Sequence, residues 1–341
     1  MKERYSRQIL FPEIGEKGQE KISASHVLVL GAGALGSSIT EMLVRAGAGK
    51  LTLIDRDYVE CSNLQRQQLY TEMDAEEKLP KVIAAEQRLK AINSEVIIET
   101  HVMDADIQSM EALMVRQQID LVMDATDNFE TRMLINDLSQ KYKIPWIYGA
   151  CVGSIGMSFT IIPGVTPCIN CLLKAIPFQG MTCDTGGIIS PAVQMTVAHQ
   201  VAEAMKILVG NVESVRKSYV FFDLWHNAYQ SIKVGKVKRE DCKSCGTSPT
   251  YPFLNVDNVS KAAVLCGRDS VQIRPREEMN LDFVQLSMQL ETIGYTVMKN
   301  PFLLSAENAD ERIVFFKDGR ALIHGQKDTV KARALYQRIL G

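Results

Sequence analysis

An α/β fold is what this sequence predicts, with a mostly parallel sheet that ends in antiparallel strands and a small α+β domain behind it. Three observations predict it. Short apolar runs alternate with amphipathic segments through the first half of the chain, a glycine-rich turn joins the first run to the first amphipathic segment, and a loop-rich stretch after residue 245 precedes a second, smaller pattern of strands and helices.

Residues 26–30 (His-Val-Leu-Val-Leu) form a short apolar run followed at once by glycine, the mark of a buried strand. Residues 35–46 then bring Ile39, Met42, Leu43 and Ala46 to helical spacing, and 51–54 give a second strand ending at Asp55, completing a βαβ unit. The rhythm continues with a helix over 81–92, a strand over 96–98, a helix over 110–117, a strand over 120–123, a helix over 128–143 and a strand at 146–148. Such alternation predicts a Rossmann-like sheet covered by helices on both faces. Residues 158–162 read as a strand with no helix directly behind it, so the sheet is expected to finish antiparallel. The long apolar segment 188–209 contains Gln194, His199, Gln200, Glu203 and Lys206, and reads as a packed amphipathic helix rather than a membrane span.

Residues 1–245 therefore form one expected domain and 246–341 a second, with strands at 263–265 and 271–273, a helix over 281–293, and a final helix over 329–340. Asp318-Gly319 between the apolar runs 313–316 and 321–323 predicts a hairpin.

With 341 residues, 46% hydrophobic and 23% charged, the chain has the composition of a globular protein. A net charge of −2 gives no global electrostatic reason to bind nucleic acid or an anionic membrane. The charged start, Met1 to Gln8, is not followed by a signal-peptide apolar stretch, so a cytoplasmic location is expected. There, eight cysteines argue for thiols and metal ligation rather than disulfides.

Gly31, Gly33 and Gly36 make the G-x-G-x-x-G turn in its proper context, after a strand and opening a helix, where backbone can approach phosphate and the helix start offers unpaired N–H groups. Asp55 ends the next strand, where a carboxylate can accept from ribose hydroxyls, and Asp57 is taken with it as a nucleotide-site candidate. The motif alone also fits a nicotinamide-dependent dehydrogenase. Arg66 in the polar loop Asn63-Leu64-Gln65-Arg66-Gln67 suits a triphosphate better, although that loop also reads as ordinary solvated surface. Lys81 begins a helix, where a cation is disfavoured unless an anion lies nearby; it is a candidate phosphate ligand or a surface lysine. Asp127 is a candidate magnesium ligand and, with Asn128, a nucleotide-site candidate, or one of the two caps the following helix.

Cys168, Cys171, Cys242 and Cys245 form two C-x-x-C pairs that can complete a tetrahedral zinc site, closed to substrate and mechanical in purpose. Cys183 stands apart in a glycine-rich segment, as a nucleophile or a spectator thiol. Cys61, Cys151 and Cys266 have no partner spacing, and none of the five histidines forms a ligand or triad pattern.

Taken in order, Arg4-Tyr5-Ser6-Arg7-Gln8, the glycine turn, Asn63 to Gln67, Lys81, Ala125-Thr126-Asp127-Asn128 and the paired C-x-x-C motifs resemble the ThiF/MoeB family over about residues 1 to 245. These are bacterial relatives of ubiquitin-activating enzymes that adenylate ThiS-type or MoaD-type sulfur carriers ending in Gly-Gly. The resemblance implies that the glycine turn and Asp55 hold adenosine, that Asn63, Arg66 and Lys81 hold the triphosphate of ATP, and that Asp127 binds Mg2+. It implies that Arg7 enters the neighbouring protomer's site in a homodimer, and that Cys183 is the crossover-loop cysteine, able in some members to join the carrier covalently. The carrier's carboxylate is already an anionic nucleophile, so attack on the α-phosphorus needs no base; the cations would screen the repulsion between two anions. Sulfur would come from another protein, such as a cysteine desulfurase. The tail resembles extensions on some relatives, and a small β-grasp-like docking domain is the expectation for it. Alternative readings are an ATP-dependent enzyme acting on a small carboxylate or a tRNA base, and a non-catalytic adaptor for a ubiquitin-like protein.

Overall fold

The computed structural model describes residues 3–175, 186–255, 262–265 (backbone only), 270–275, 279–309 and 311–340. The chain divides into two compact units, the first extending to residue 256.

The first unit is built on an eight-stranded sheet of order β3-β2-β1-β4-β5-β6-β7-β8. Its strands are β1 (His26–Leu30), β2 (Lys50–Asp55), β3 (Ile97–Val102), β4 (Leu121–Asp124), β5 (Trp146–Val152), β6 (Ile155–Ile161), β7 (Ser218–Asp223) and β8 (Ala228–Lys233). The pairs from β3 through β5 are parallel and those from β5 through β8 antiparallel. The first five strands thus follow the order of a doubly wound fold. Every residue of β1 and β4 is buried, because strands covered on both faces carry apolar side chains on both.

Alternation along β1 feeds two cores. Val27 and Val29 pack with α3 (Ala34–Ala46), α5 (Lys81–Ile92) and the long helix Ser190–Leu208 through Ile39, Leu43, Val82, Leu89, Val193 and Val197. Leu28 and Leu30 face the other side, where α6 (Ile107–Arg116), α7 (Phe129–Tyr142) and α8 (Ile169–Ala175) contribute Met110, Met114, Leu134, Leu138, Ile169 and Leu172. The helix Ser190–Leu208, α9, is a packed helix as its buried polar residues require: Gln200 Nε2 donates to Asp124 O at 2.8 Å and to Ile147 O at 3.3 Å. No helix among the described residues is long and apolar enough to cross a membrane.

Several elements have no clear sequence signal. The strand β8 is polar and mostly exposed, so it lacks an apolar run. The short helices α1 (Ser6–Ile9), α2 (Gly15–Ala24) and α4 (Glu72–Glu76) also lie outside the sequence-based pattern. The first unit reaches past the expected boundary at 245 because Thr250 N and Tyr251 N donate to Lys243 O, and Phe253 N donates to Asp137 Oδ2 at 2.9 Å.

The second unit carries a six-stranded sheet of order β11-β12-β13-β14-β10-β9, comprising β9 (Ala262–Leu265), β10 (Ser270–Ile273), β11 (Thr296–Lys299), β12 (Leu303–Glu307), β13 (Arg312–Phe316) and β14 (Ala321–His324). The helices α10 (Phe283–Thr292) and α11 (Thr329–Leu340) contribute Leu286, Leu290, Ala332 and Leu335 to its core. The Asp318-Gly319 hairpin forms, with Phe315 opposite Ala321 and Gly319 at φ +86°. Among the described residues all its strand pairs are antiparallel, which does not match the β-grasp expectation, since that fold sets two strands side by side in parallel at its centre.

Candidate active site and metal centre

The central strands β1, β2 and β4 end at Leu30, Asp55 and Asp124, and the loops leaving them meet. This is the carboxyl edge of the sheet, and between β1 and β4 the strand order reverses, leaving the crevice where doubly wound folds bind ligands. Gly31 has φ +95°, and a Cβ there would stand 2.5 Å from Ala125 O; at Gly36 it would stand 1.8 Å from Gly31 O. Side chains at either place would push the turn off the strand edge. Gly33 is open in comparison, with Gln67 Nε2 its nearest neighbour at 3.9 Å.

Asp55 shapes the turn. Its Oδ2 accepts from Ala32 N at 2.6 Å and its Oδ1 from Asp57 N at 2.7 Å, while burial pushes its pKa up. Tyr70 closes the other side, its hydroxyl donating to Ala32 O at 2.5 Å. Lys81 is only 2% exposed, and its Nζ lies 3.0 Å from Asp57 Oδ2. Asp57 is the anion that a lysine at a helix start requires. Beside it, Arg56 donates from Nη1 to Asp104 Oδ1 at 2.9 Å, with its Nε 3.9 Å from Asp57 Oδ1. Burial works against the charge on Arg56, but Asp104, then Asp57 and Asp127, more than offset it.

Asn63 is buried in the turn over residues 61–63, and its Oδ1 has no hydrogen-bond partner among the described residues; the same holds for Gln67 Oε1. Arg66 is half-buried and donates from Nη1 to Ser62 O at 2.8 Å, so it folds back on its own loop. Beyond β4, Asn128 caps α7 by accepting from Thr131 N at 2.9 Å, which leaves Asp127 exposed at the crevice rim. The loop is fixed from beneath by Arg132, whose Nε donates to the buried Asp124 at 3.0 Å and whose Nη2 donates to Thr126 O at 2.6 Å and Gly149 O at 3.2 Å.

The structure thus gathers Gly31, Gly33, Gly36, Asp55, Asp57, Asn63, Lys81 and Asp127 around one crevice, with Arg66 on the adjoining loop. Arg7 is not among them. Tyr5 presses on Gly47 and receives a hydrogen bond from Asn93 at 2.8 Å, and Gln8 donates to Ala46 O at 3.0 Å, which holds α1 at the far end of α3. At 1.5 Å per residue that end is ~20 Å from the glycine turn. Cys183 lies outside the described residues.

Sequence reasoning missed Arg56, Asp104, Tyr70, Asp124 and Arg132. Arg56 carried a signal, being framed by acids in Asp55-Arg56-Asp57. A buried arginine such as Arg132, 5% exposed on a helix that reads as amphipathic, has none.

The paired C-x-x-C motifs converge. The four sulfurs of Cys168, Cys171, Cys242 and Cys245 lie within 4.8 Å of one another, with Cys168 Sγ 3.7 Å from Cys242 Sγ and Cys171 Sγ 3.6 Å from Cys245 Sγ. A tetrahedral shell at the usual zinc–sulfur distance sets sulfurs about 3.8 Å apart, so the cluster fits a metal ion of that kind. Hydrogen bonds from Cys168 and Cys245 pull the Cys171 pKa down, while Cys168 is pushed up, the behaviour of thiols too close to ionise together without a cation. Ile169 N donates to Asn136 Oδ1 at 3.0 Å and Asn170 Nδ2 to Ser244 Oγ at 3.1 Å, so α7 and the two motif loops are tied together.

A nucleotide crevice at the switch point of a doubly wound sheet, distinct from a four-cysteine cluster able to hold a metal, defines an α/β protein of the nucleotide-binding class. Comparison with known proteins carries this further. A model of the ThiF family matches residues 5–244. The chain is 49% identical over 339 residues to the sulfur carrier protein ThiS adenylyltransferase of Bacillus subtilis, covering 99% of each. It is 34% identical over 259 residues to the sulfur carrier protein adenylyltransferase of Thermus thermophilus, covering 74% of this chain and 93% of the relative. Among solved structures, E. coli MccB with ATP has a similar fold, at a TM-score of 0.60 and 23% identity over 71% of this chain and 74% of MccB. The chain belongs to the ThiF family, and it is an adenylyltransferase.

Proposed function

We propose that this chain uses ATP and Mg2+ to adenylate the C-terminal Gly-Gly carboxylate of a small β-grasp sulfur carrier, working in the cytoplasm as a homodimer. A ThiS-type carrier, for thiazole synthesis, is the first choice because the 49% identical relative is named for ThiS; a MoaD-type carrier, for molybdopterin synthesis, offers the same terminal chemistry.

The observation that carries the reading is the Lys81–Asp57 pair, a cation enclosed beside the glycine turn at the carboxyl edge of the sheet. A buried lysine held by one carboxylate can exchange that partner for a phosphate at small cost in desolvation. The N–H groups at the start of α3 would receive the nucleotide's phosphates, and Asp55 and Asp57 would border the ribose. Asn63 and Arg66 would follow the triphosphate outward as donors, Asn63 through its Nδ2 and Arg66 through its guanidinium. Asp127, exposed at the rim, suits Mg2+, which commonly takes one carboxylate together with phosphates and water. That ion would neutralise charge on the departing pyrophosphate. Arg7 of a partner copy would complete the cation set, and Cys183 stands as the candidate for a covalent link to the carrier. The four-cysteine centre would hold Zn2+ in a mechanical role. A cysteine desulfurase or similar donor would convert the acyl-adenylate to thiocarboxylate.

The test is ATP–pyrophosphate exchange with purified carrier. Exchange should require the carrier, and Lys81→Ala, Arg66→Ala and Asp127→Ala should each lower it by ~10²-fold. Exchange without carrier would point to a small carboxylate substrate, and carrier binding without any adenylate would leave an adaptor.

A further inference from the structure

The ion pair between Lys81 and Asp57 poses a problem that the proposed reaction does not solve. Lys81 Nζ rests on Asp57 Oδ2 at 3.0 Å, and both side chains are largely enclosed, 3% and 14% exposed. If Lys81 turns to a nucleotide phosphate, Asp57 gives up its ammonium partner just as a polyanion arrives. Losing one partner of a buried charge pair is normally far costlier than losing both.

Arg56 is the neighbouring group able to prevent this. It follows Asp55 at the end of β2, its side chain is 23% exposed, and it bridges Asp104 at 2.9 Å and Asp57 at 3.9 Å. It approaches Asp57 at Oδ1, whereas Lys81 occupies Oδ2, so the carboxylate is held by a cation on either side. Asp104 lies just past the end of β3 and is 8% exposed, which fixes the guanidinium without withdrawing it from Asp57. A guanidinium presents its donors in a fixed fork, so Nε and Nη1 can be held toward two carboxylates, whereas an ammonium offers rotatable donors from a single atom.

We propose that Arg56 is a positioning residue for nucleotide capture: it keeps Asp57 compensated from one side, so that Lys81 can leave the other side for a phosphate of the nucleotide. The inference rests on the proposed ATP-binding role of Lys81. Arg56 itself touches no reacting atom in this scheme.

The experiment measures Mg-ATP affinity of the full chain by calorimetry, without carrier, beside the melting temperature of each unliganded variant. Arg56→Gln should weaken ATP binding about tenfold, the scale of one charge-assisted bond. Arg56→Lys, with charge but no fork, should fall between, about threefold weaker. In an Asp57→Asn background, where Lys81 is no longer held by a carboxylate, Arg56→Gln should change affinity by less than about twofold, a coupling that general loosening of the fold would not produce. If Arg56→Gln does not fold, the lysine variant carries the test, and wild-type affinity in that variant overturns the proposal. Wild-type affinity in Arg56→Gln, or an undiminished loss in the Asp57→Asn background, overturns it as well. Carrier-dependent exchange is measured separately: if wild-type protein binds ATP with the Arg56–Asp57 coupling but shows no exchange, the capture device stands and the proposed reaction falls.

Discussion

At the scale of single residues, the site depends on charges hidden beneath it as much as on those that face the crevice. Asp124 is fully buried and answered by Arg132, whose guanidinium also lies over the rings of Tyr148 and Phe129 at 5.1 and 5.4 Å. Removing the cation strands a carboxylate in the core, so Arg132→Met should lower stability by about 3–5 kcal/mol, read from denaturant unfolding, and loosen the loop that bears Asp127. A second network works at the sheet edge, where Glu99 receives Lys50 at 2.6 Å, Gln117 at 2.8 Å and His101 at 2.9 Å. Partial burial tends to raise the Glu99 pKa, but the hydrogen bonds of Lys50, Gln117 and His101 outweigh it and bring it from 4.5 down to about 2. A depressed carboxylate pKa means stability that is present above pH 4.5 and lost as the pH falls toward 2. Glu99→Gln should therefore melt below wild type at neutral pH, with the difference closing across that acid window.

At the scale of elements, the strand–turn–helix units were legible because their apolar periodicity is local: 81–92 was expected as a helix and α5 spans Lys81–Ile92. The glycine turn was legible for the same reason, since its residues are contiguous. What could not be read was pairing across sequence distance, such as Arg132 beneath Asp124 or Arg56 beside Asp104, because nothing in an isolated helix or strand says which charge will be buried. The β8 strand escaped because its exposed face erases the alternation that marks a strand. Cysteine spacing was the exception, a long-range contact written into sequence by the chelate geometry of C-x-x-C. The converged sulfurs predict one zinc per chain by elemental analysis. Cys168→Ser or Cys242→Ser should abolish it and lower the melting temperature by about 5 °C or more. Nucleotide affinity of the folded fraction should stay within about twofold, because a closed thiolate shell has no position for substrate.

At the scale of the whole molecule, the family match stops at residue 244 while the first unit runs on to 256, so the last stretch of that unit is structural closure over Asp137 beyond the matched region. The second unit lies within the 99% overlap with the Bacillus subtilis relative, whereas the Thermus thermophilus match takes in 74% of the chain. The placement of α1 has its own consequence. Tyr5 and Gln8 hold it at Ala46 and Gly47, a helix length away from the crevice of the same chain. In the proposed homodimer, two dead variants, Arg7→Ala and Lys81→Ala, should therefore revive each other when co-refolded, each lending the other the part it lacks. Random reassortment makes half the pairs mixed with one sound centre apiece, so about a quarter of wild-type turnover should return; a mixture that stays silent would rule out Arg7 acting across the two chains.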